Sequence, residues 1–203
     1  MLSIQYISRL ACEPLTLEQT KKDLKISASN TDDDDFITQL IAAARSYSES
    51  YTGQTWIATT YRMYLDGFQR YIYLPKGKVA SITAITYTNT DGATATLSTE
   101  DYSADLHAIP ARIFIPEAPG TKANILGAVA VEYVAGYTDA DEEDADIIRA
   151  AVPERARQAM SLLVANWYQN REDFYTERDQ APRAARLLLR TLKTDHFYTH
   201  TNG

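Results

Sequence analysis

Residue types on which enzymes and metal sites depend are scarce in this chain of 203 residues. Cys12 is the single cysteine, so no disulfide can form within the chain and a zinc site built on cysteines is excluded. Only three histidines occur, and although His196 and His200 lie four residues apart, no third ligand can be assigned to them. The sequence also lacks the glycine spacings of a nucleophile elbow, a phosphate-binding loop or a dinucleotide-binding turn. We therefore expect no catalytic residues, no metal and no cofactor.

Long apolar runs and excess positive charge are missing as well. The longest apolar run, residues 125–131, is far shorter than the roughly 20 residues that span a bilayer, and no basic targeting segment opens the chain. Lys and Arg number 20 against 27 Asp and Glu, a net charge of −7, which argues against a protein that coats nucleic acid. With 45% hydrophobic residues, the chain can build a core. These features predict a soluble protein made in a reducing compartment.

Helical patterns occupy both ends of the sequence. Thr16 and Gln19 form a capping box before a short helix to about Lys25, and a longer helix starts at residues 31–35 and stops at Gly53. Another amphipathic helix follows Pro153, and a last one runs from Pro182 to about residue 193. Apolar residues at helical spacing predict a bundle core of Ile37, Leu40, Ile41, Ala44, Met160, Leu163, Val164 and Trp167.

The middle of the chain has the pattern of short strands. Apolar and polar residues alternate over residues 57–65, and the turn at residues 66–67 predicts a return strand at residues 71–74. A second hairpin is expected around residues 91–92, with further strands at residues 101–106, 112–115 and 128–135. The fold class is therefore predicted as α+β: a small helical bundle with an inserted antiparallel β region. The expected division is a helical part at 1–56, the β insertion at 57–136, an acidic loop and main helix at 137–181, and a terminal helix and tail at 182–203.

Charge is concentrated in three segments. Two acidic runs lie at residues 32–35 and 139–146, the first at the expected start of a helix, where carboxylates favour the positive end of the dipole. A metal loop is the alternative interpretation of the first run, but it lacks the glycine and glutamate of a calcium-binding loop. The last helix is basic and rich in leucine. It either contacts phosphates or an acidic protein surface, or is a solvated basic face.

Several segments, taken in order, resemble one known family. They include LTLEQTKKDLKI, then YTGQ at residues 51–54, AGY at residues 135–137, and the helix VPERARQAM followed by NWYQNRE. Over roughly residues 15–175 the chain resembles the head–tail connector proteins of long-tailed double-stranded DNA bacteriophages, also called adaptor or head-completion proteins. None of these motifs is a catalytic signature, and the resemblance depends on their order and spacing.

The resemblance implies a structural role in the virion. Such proteins form a ring, usually twelve-fold, that lies below the portal protein, extends the channel for double-stranded DNA without sequence-specific binding, and docks the next neck or tail component. The implied location is the head–tail junction, with assembly in the host cytoplasm. By resemblance the C-terminal segment engages the portal, which gives as docking candidates Arg183, Arg186, Leu187, Leu188, Arg190, Leu192 and Lys193. We expect this helix to lack a partner within the chain and to order on the portal.

The acidic runs are a separate hypothesis. An acidic channel wall does not grip DNA and lets it slide. The candidates to face the channel or its rim are Asp32, Asp33, Asp34, Asp35, Asp139, Asp141, Glu142, Glu143 and Asp144. Two other functions stay open. One is a different neck or tail-completion ring protein that binds tail components, and the other is a DNA-binding module that uses the basic last helix.

Overall fold

The computed structural model describes residues 3–170 and 181–194. These residues form two compact units: a β unit of residues 3–10 and 57–142, and a helical unit of residues 11–56, 143–170 and 181–194. The β unit interrupts the helical unit in sequence, and its paired strands are antiparallel. The predicted α+β class, helices with an inserted antiparallel β region, is confirmed.

The helical unit contains five described helices: α1 (Leu17–Asp23), α2 (Asp34–Thr52), α3 (Ala145–Ala151), α4 (Glu154–Gln169) and α5 (Arg183–Arg190). The predicted capping box is present at α1, because the Thr16 hydroxyl accepts a hydrogen bond from the Gln19 backbone N–H at 3.1 Å. Helix α2 ends where Gly53 adopts a left-handed conformation with φ of 71°. Helix α4 packs against both α2 and α5, and these contacts build the core of the unit.

Seven of the eight predicted core residues are buried between these helices. The exception is Trp167, which is only half-buried. Its ring packs edge-on against Tyr47, with 6.1 Å between the ring centroids, near the end of α4. Hydrophobic periodicity gives the direction in which a side chain points, but the last turn of a helix has fewer neighbours to cover it. The indole therefore belongs to the border of the core.

The β unit contains eight described strands: β1 (Ser3–Arg9), β2 (Thr59–Leu65), β3 (Tyr71–Leu74), β4 (Val79–Thr88), β5 (Thr94–Thr96), β6 (Ser103–Asp105), β7 (Ala111–Phe114) and β8 (Val129–Ala135). A five-stranded sheet has the order β1-β2-β8-β4-β5, and a three-stranded sheet has the order β3-β7-β6. The hairpin predicted around residues 91–92 is present as β4 and β5, which pair from Thr86↔Thr96 to Thr88↔Thr94.

Three expectations about the elements are wrong. Residues 3–9 are a strand of the large sheet rather than part of the helical region; as an edge strand, β1 is exposed at most positions and so lacks alternating hydrophobicity. Strand β3 pairs with β7 and not with β2, because a turn signal alone does not specify which strand comes next to it. Helix α3 lies where the sequence predicts a loop, since its seven residues are too few to show a clear period.

The β unit has an almost entirely apolar core. Its fully buried side chains include Met63, Ile85, Ile113 and Val131, which come from both sheets. Tyr133 is also fully buried, and its hydroxyl donates a hydrogen bond to the Pro75 carbonyl at 3.1 Å, which satisfies the one polar atom of the ring. Among the described residues, no helix is long and apolar enough to cross a membrane.

Gly136 explains the AGY motif at residues 135–137. Its φ is 140°, and a Cβ atom there would lie 2.7 Å from the Ala58 Cα and 2.8 Å from the Ala58 nitrogen. The Gly136 N–H also donates to the Lys78 carbonyl at 2.9 Å. The backbone just after β8 thus passes so close to the start of β2 that only glycine fits.

Candidate interaction surfaces

Helix α5 carries the predicted docking residues, and the structure divides them between two sides. Ala185 and Leu189 are fully buried because α5 packs on α4. Arg183, Leu187 and Arg190 lie on the exposed side, with Leu187 53% exposed. Of the remaining predicted residues, Arg186 and Leu188 are half-buried, and Leu192 and Lys193 follow the end of the helix. The expectation that this helix lacks a partner within the chain is wrong. Ala185 and Leu189, four residues apart, form an apolar stripe that packs against α4.

The end of α5 is fixed to the end of α2 by the YTGQ segment. The Gln54 side-chain amide donates to the Leu192 carbonyl, and the Thr194 N–H donates to the Thr52 carbonyl at 2.9 Å. Lys193 extends over the Tyr51 ring, with its ammonium 5.9 Å from the centroid. This motif therefore anchors the C-terminal helix, a role that sequence analysis does not assign to it. The tail after residue 194, with His196 and His200, lies outside the described residues.

A groove of about 660 Å³ opens beside α5 within the helical unit. Its apolar wall includes Leu15, Leu188 and Leu162, which is 39% exposed. Polar side chains of both charge signs line the remainder, among them Arg149 and Arg157. Together with Leu187, the groove gives the helical unit an exposed apolar surface bordered by arginines, a composition common at protein interfaces.

The first acidic run is largely used inside the helical unit. Asp34 forms an ion pair with the buried Lys21 at 2.7 Å, and Lys21 also donates to the Asn30 carbonyl at 2.6 Å. Asp33 accepts a hydrogen bond from the Tyr168 hydroxyl at 2.5 Å. Asp32 and Asp35 are the two exposed members of the run. The run therefore fixes the start of α2, and only two of its carboxylates face solvent.

The second acidic run is exposed over most of its length. Asp139, Asp141, Glu143 and Asp144 are exposed, and Glu142 is half-buried. One of these has a defined structural task, because the Asp144 side chain accepts a hydrogen bond from the Asp146 N–H at 2.8 Å and caps α3. No group of three or more His, Cys, Asp or Glu residues in the described chain is arranged to hold a metal ion.

A buried arginine that the sequence does not single out organises the helical unit. Arg45 donates to the Glu13 carboxylate at 2.8 Å and to the Glu49 carboxylate at 2.9 Å. Burial lowers the pKa of Arg45, but the attraction of Glu49 and Glu13 outweighs it, so the pKa lies above its usual value. Glu49 in turn accepts from the Trp56 N–H at 3.0 Å. The signal in the sequence is the Arg45-x-x-x-Glu49 spacing on α2.

Cys12 has no features of a reactive thiol. It is buried in the helical unit, and burial raises the pKa of the thiol above its ordinary value. The nearby Arg149 opposes this increase without cancelling it.

The fold is similar to that of a protein in the neck of an empty gene transfer agent particle computed with C6 symmetry, with a TM-score of 0.77, 19% identity, and coverage of 99% of this chain and 98% of the other. A chain from the virion of a native gene transfer agent particle gives a TM-score of 0.73 at 18% identity, covering 98% of both chains. A third, from the neck of a native particle computed with C12 symmetry, gives 0.70 at 18% identity, covering 99% of this chain and 98% of the other.

Part of the sequence is also similar to a known family. Residues 14–108 match the family model of phage gp6-like head–tail connector proteins. The matched segment contains α1, α2 and YTGQ. The predicted resemblance is therefore confirmed over this segment of the chain. None of the curated proteins with which it was compared matches the chain.

Proposed function

We propose that this protein is a structural component of the head–tail junction of a phage-like particle, where a ring of its copies joins the portal to the tail and extends the DNA channel. The match of residues 14–108 to the head–tail connector family carries this proposal. The similarity of the fold to neck proteins over 99% of the chain supports it. In this role the protein has no catalytic activity, and it assembles into the virion from the host cytoplasm.

The proposed ring has twelve subunits. Support comes from the two neck structures with C6 and C12 symmetry, since both symmetries accommodate twelve copies of a subunit. The particle mass of the purified chain over a range of concentrations, with negative-stain images of the same samples, tests the ring. We expect closed rings of about twelve subunits, alone or once the portal is added. A monomer that ignores the portal would contradict the proposal.

Helix α5 and the groove beside it are the proposed docking surface for the portal. Exposed Leu187 offers an apolar anchor, and Arg183 and Arg190 flank it on the same exposed side. We expect Arg183→Glu combined with Arg190→Glu to weaken portal binding at least tenfold while ring mass stays unchanged. The matched control is Arg155→Glu, an exposed arginine on α4. Equal binding by all variants would exclude α5 as the docking surface and would favour a neck ring protein that binds tail components instead.

The exposed carboxylates of the first acidic run, Asp32 and Asp35, are the proposed channel or rim acids. Their side chains face solvent, whereas Asp33 and Asp34 are engaged within the unit. A negative wall repels the DNA backbone and lets it pass. A structure of the ring that places both residues on its outer surface would contradict this assignment.

A further inference from the structure

One face of the small sheet in the β unit carries aromatic side chains where polar ones are expected. Along β3, Ile72 and Leu74 are buried, while Tyr71 and Tyr73 on the other face are 48% and 44% exposed. Phe114 of β7 is the cross-strand partner of Tyr71, and the two rings lie 5.1 Å apart. Three aromatic rings thus share one solvent-facing surface, which is uncommon unless something covers it.

Two arginines complete this surface, which we call the Tyr–Arg face (Arg70, Tyr71, Tyr73, Arg112 and Phe114). The Arg70 guanidinium lies over the Phe114 ring, 5.5 Å from its centroid, and forms no ion pair with any described residue. Arg112 is the cross-strand partner of Tyr73 and is 53% exposed. Tyrosine and arginine are among the residues most enriched at the positions that contribute most to binding in protein interfaces.

A depression of about 300 Å³ lies within the Tyr–Arg face. It is bounded by Tyr71 and Phe114 on one side and by Arg112 and Asp105 on the other. Asp105 engages Arg112 through one carboxylate oxygen, at 3.1 and 3.2 Å, which leaves other guanidinium N–H groups for a second acceptor. The depression therefore combines two aromatic rings with guanidinium donors that Asp105 leaves unused, a combination that suits a short acidic side chain.

The same β unit carries acidic side chains that fit this description. Asp139 and Asp141 are exposed and, within the described part of the chain, form no ion pair. Glu143 and Asp144 follow directly, so the segment 139–144 presents the densest exposed negative charge that the structure describes. Aspartate is short enough to enter a shallow depression and brings the charge that two arginines require.

We propose that the Tyr–Arg face of one copy binds the acidic segment 139–144 of a neighbouring copy, and that this is a subunit contact of the ring. The two surfaces differ from each other, so the contact is head-to-tail, and head-to-tail contacts generate rings when the rotation closes. This contact rests on the ring of the proposed function, and it places the acidic segment between subunits instead of on the channel wall.

Charge reversal in the full chain tests the contact. One variant combines Arg70→Glu with Arg112→Glu, and a second combines Asp139→Arg with Asp141→Arg. We expect each variant alone to raise the concentration needed for self-association at least tenfold, measured by light scattering. A mixture of the two, or a single chain carrying all four changes, restores opposite charges across the contact and recovers association. The matched control, Lys22→Glu with Lys122→Glu, alters two exposed lysines outside both surfaces and leaves association unchanged.

Each remaining result overturns the contact. Association that ignores both reversals removes the contact and leaves the ring proposal intact. Failure of the four-change chain to recover, despite a circular dichroism spectrum equal to that of the original protein, shows that the charges do not face each other. If the chain is monomeric alone, the variants are compared with the portal present, and ring assembly there that ignores both reversals also overturns the contact. Salt-sensitive DNA binding that is lost on reversal of Arg70 and Arg112, with association unchanged, would assign the face to nucleic acid instead.

Discussion

The two units hold their cores together in different ways. In the helical unit two cations are buried: Lys21 is 5% exposed and Arg45 is 8% exposed, and each has carboxylate partners. In the β unit the described ion pairs lie at the surface, with side-chain exposures of 42% for Arg62 and 53% for Arg112, and the core is apolar. The core of the β unit is thus stabilised by apolar packing, whereas the helical unit also depends on ion pairs between buried cations and carboxylates.

The difference follows from the size and geometry of the elements. Two sheets bring many apolar residues together, so Met63, Ile85 and Val131 can fill the β core without polar help. Short helices and loops leave backbone carbonyls to satisfy, and Lys21 does this for Ala28 and Asn30. Buried charge in the helical unit is therefore tied to its irregular segments, and removing one partner of an ion pair leaves the other charge partly buried with less compensation.

The largest expected effect comes from removing a buried charge. Arg45→Met leaves Glu13 and Glu49 without their common partner, and we expect a loss of about 3–5 kcal/mol in the free energy of unfolding, measured in urea. Arg62→Met is the control in the β unit, where the pair with Glu132 is partly exposed and water screens it, so the loss should be several times smaller. Equal losses in both variants would remove the distinction between the units.

Close packing in the β unit is tested at Gly136. A Cβ there meets the Ala58 backbone at 2.7 Å, and φ of 140° is strained for any other residue, so Gly136→Ala should cost about 2–4 kcal/mol. At Gly67 an added methyl group would have no heavy atom within 4 Å, and Gly67→Ala should change stability by less than about 1 kcal/mol. Thermal unfolding of both variants is the measurement. A large loss for both would mean that the sheet tolerates no added methyl group at either glycine, and that steric strain is not specific to Gly136.

Buried neutral hydrogen bonds should matter equally in both units. Ser48→Ala removes the hydroxyl that accepts from the Trp56 indole N–H at 2.7 Å, and Tyr133→Phe removes the hydroxyl that donates to the Pro75 carbonyl at 3.1 Å. We expect each to cost about 1–2 kcal/mol in urea unfolding. A far larger loss for Ser48→Ala would mean that the hydrogen bonds and ion pairs of the helical unit stabilise it cooperatively.

The smallest effect concerns an exposed carboxylate. The Gly127 N–H donates to Asp66 at 3.0 Å and holds the pKa of this carboxyl below its ordinary value. Because the pKa is lower in the folded chain, the stabilising contribution is present above the ordinary carboxyl pKa of about 3.9 and is lost as the pH falls through the folded value. A carbon-detected NMR titration of Asp66 should show the lowered midpoint, and Asp66→Asn should remove that part of the acid sensitivity. A midpoint at the ordinary value would contradict the hydrogen bond.

Sequence reasoning succeeds where one physical signal decides the outcome. Helical periodicity locates α2 and α4 and seven of their buried residues, because one face of each helix lies against the other. Alternation of apolar and polar residues locates β2, and the turn residues 91–92 locate the β4–β5 hairpin. The order YTGQ, AGY and the α4 segment carries the family resemblance, and the structure gives two of these motifs a purpose in Gln54 and Gly136.

The rest depends on contacts between distant residues. Strand β1 pairs with β2 across about fifty intervening residues, and nothing local in its exposed pattern predicts this. The partner of β3 and the burial of α5 by α4 are equally non-local. Sequence alone cannot separate the tyrosines of the Tyr–Arg face from those that pack the sheets, since only the pairing of β3 with β7 brings its rings and arginines together.

The hydrogen bonds between YTGQ and the last turn after α5 have a consequence for tension applied to the C-terminus. Both the backbone N–H and the hydroxyl of Thr194 donate to the Thr52 carbonyl, at 2.9 and 3.0 Å, and Gln54 holds Leu192 beside them. A pull applied beyond residue 194 acts on these hydrogen bonds before it reaches α5. Since Gly53 ends α2 at the same point, the force passes into the longest described helix of the unit. We therefore expect tension on the C-terminus to reach α2 before it disturbs the packing of α5 on α4.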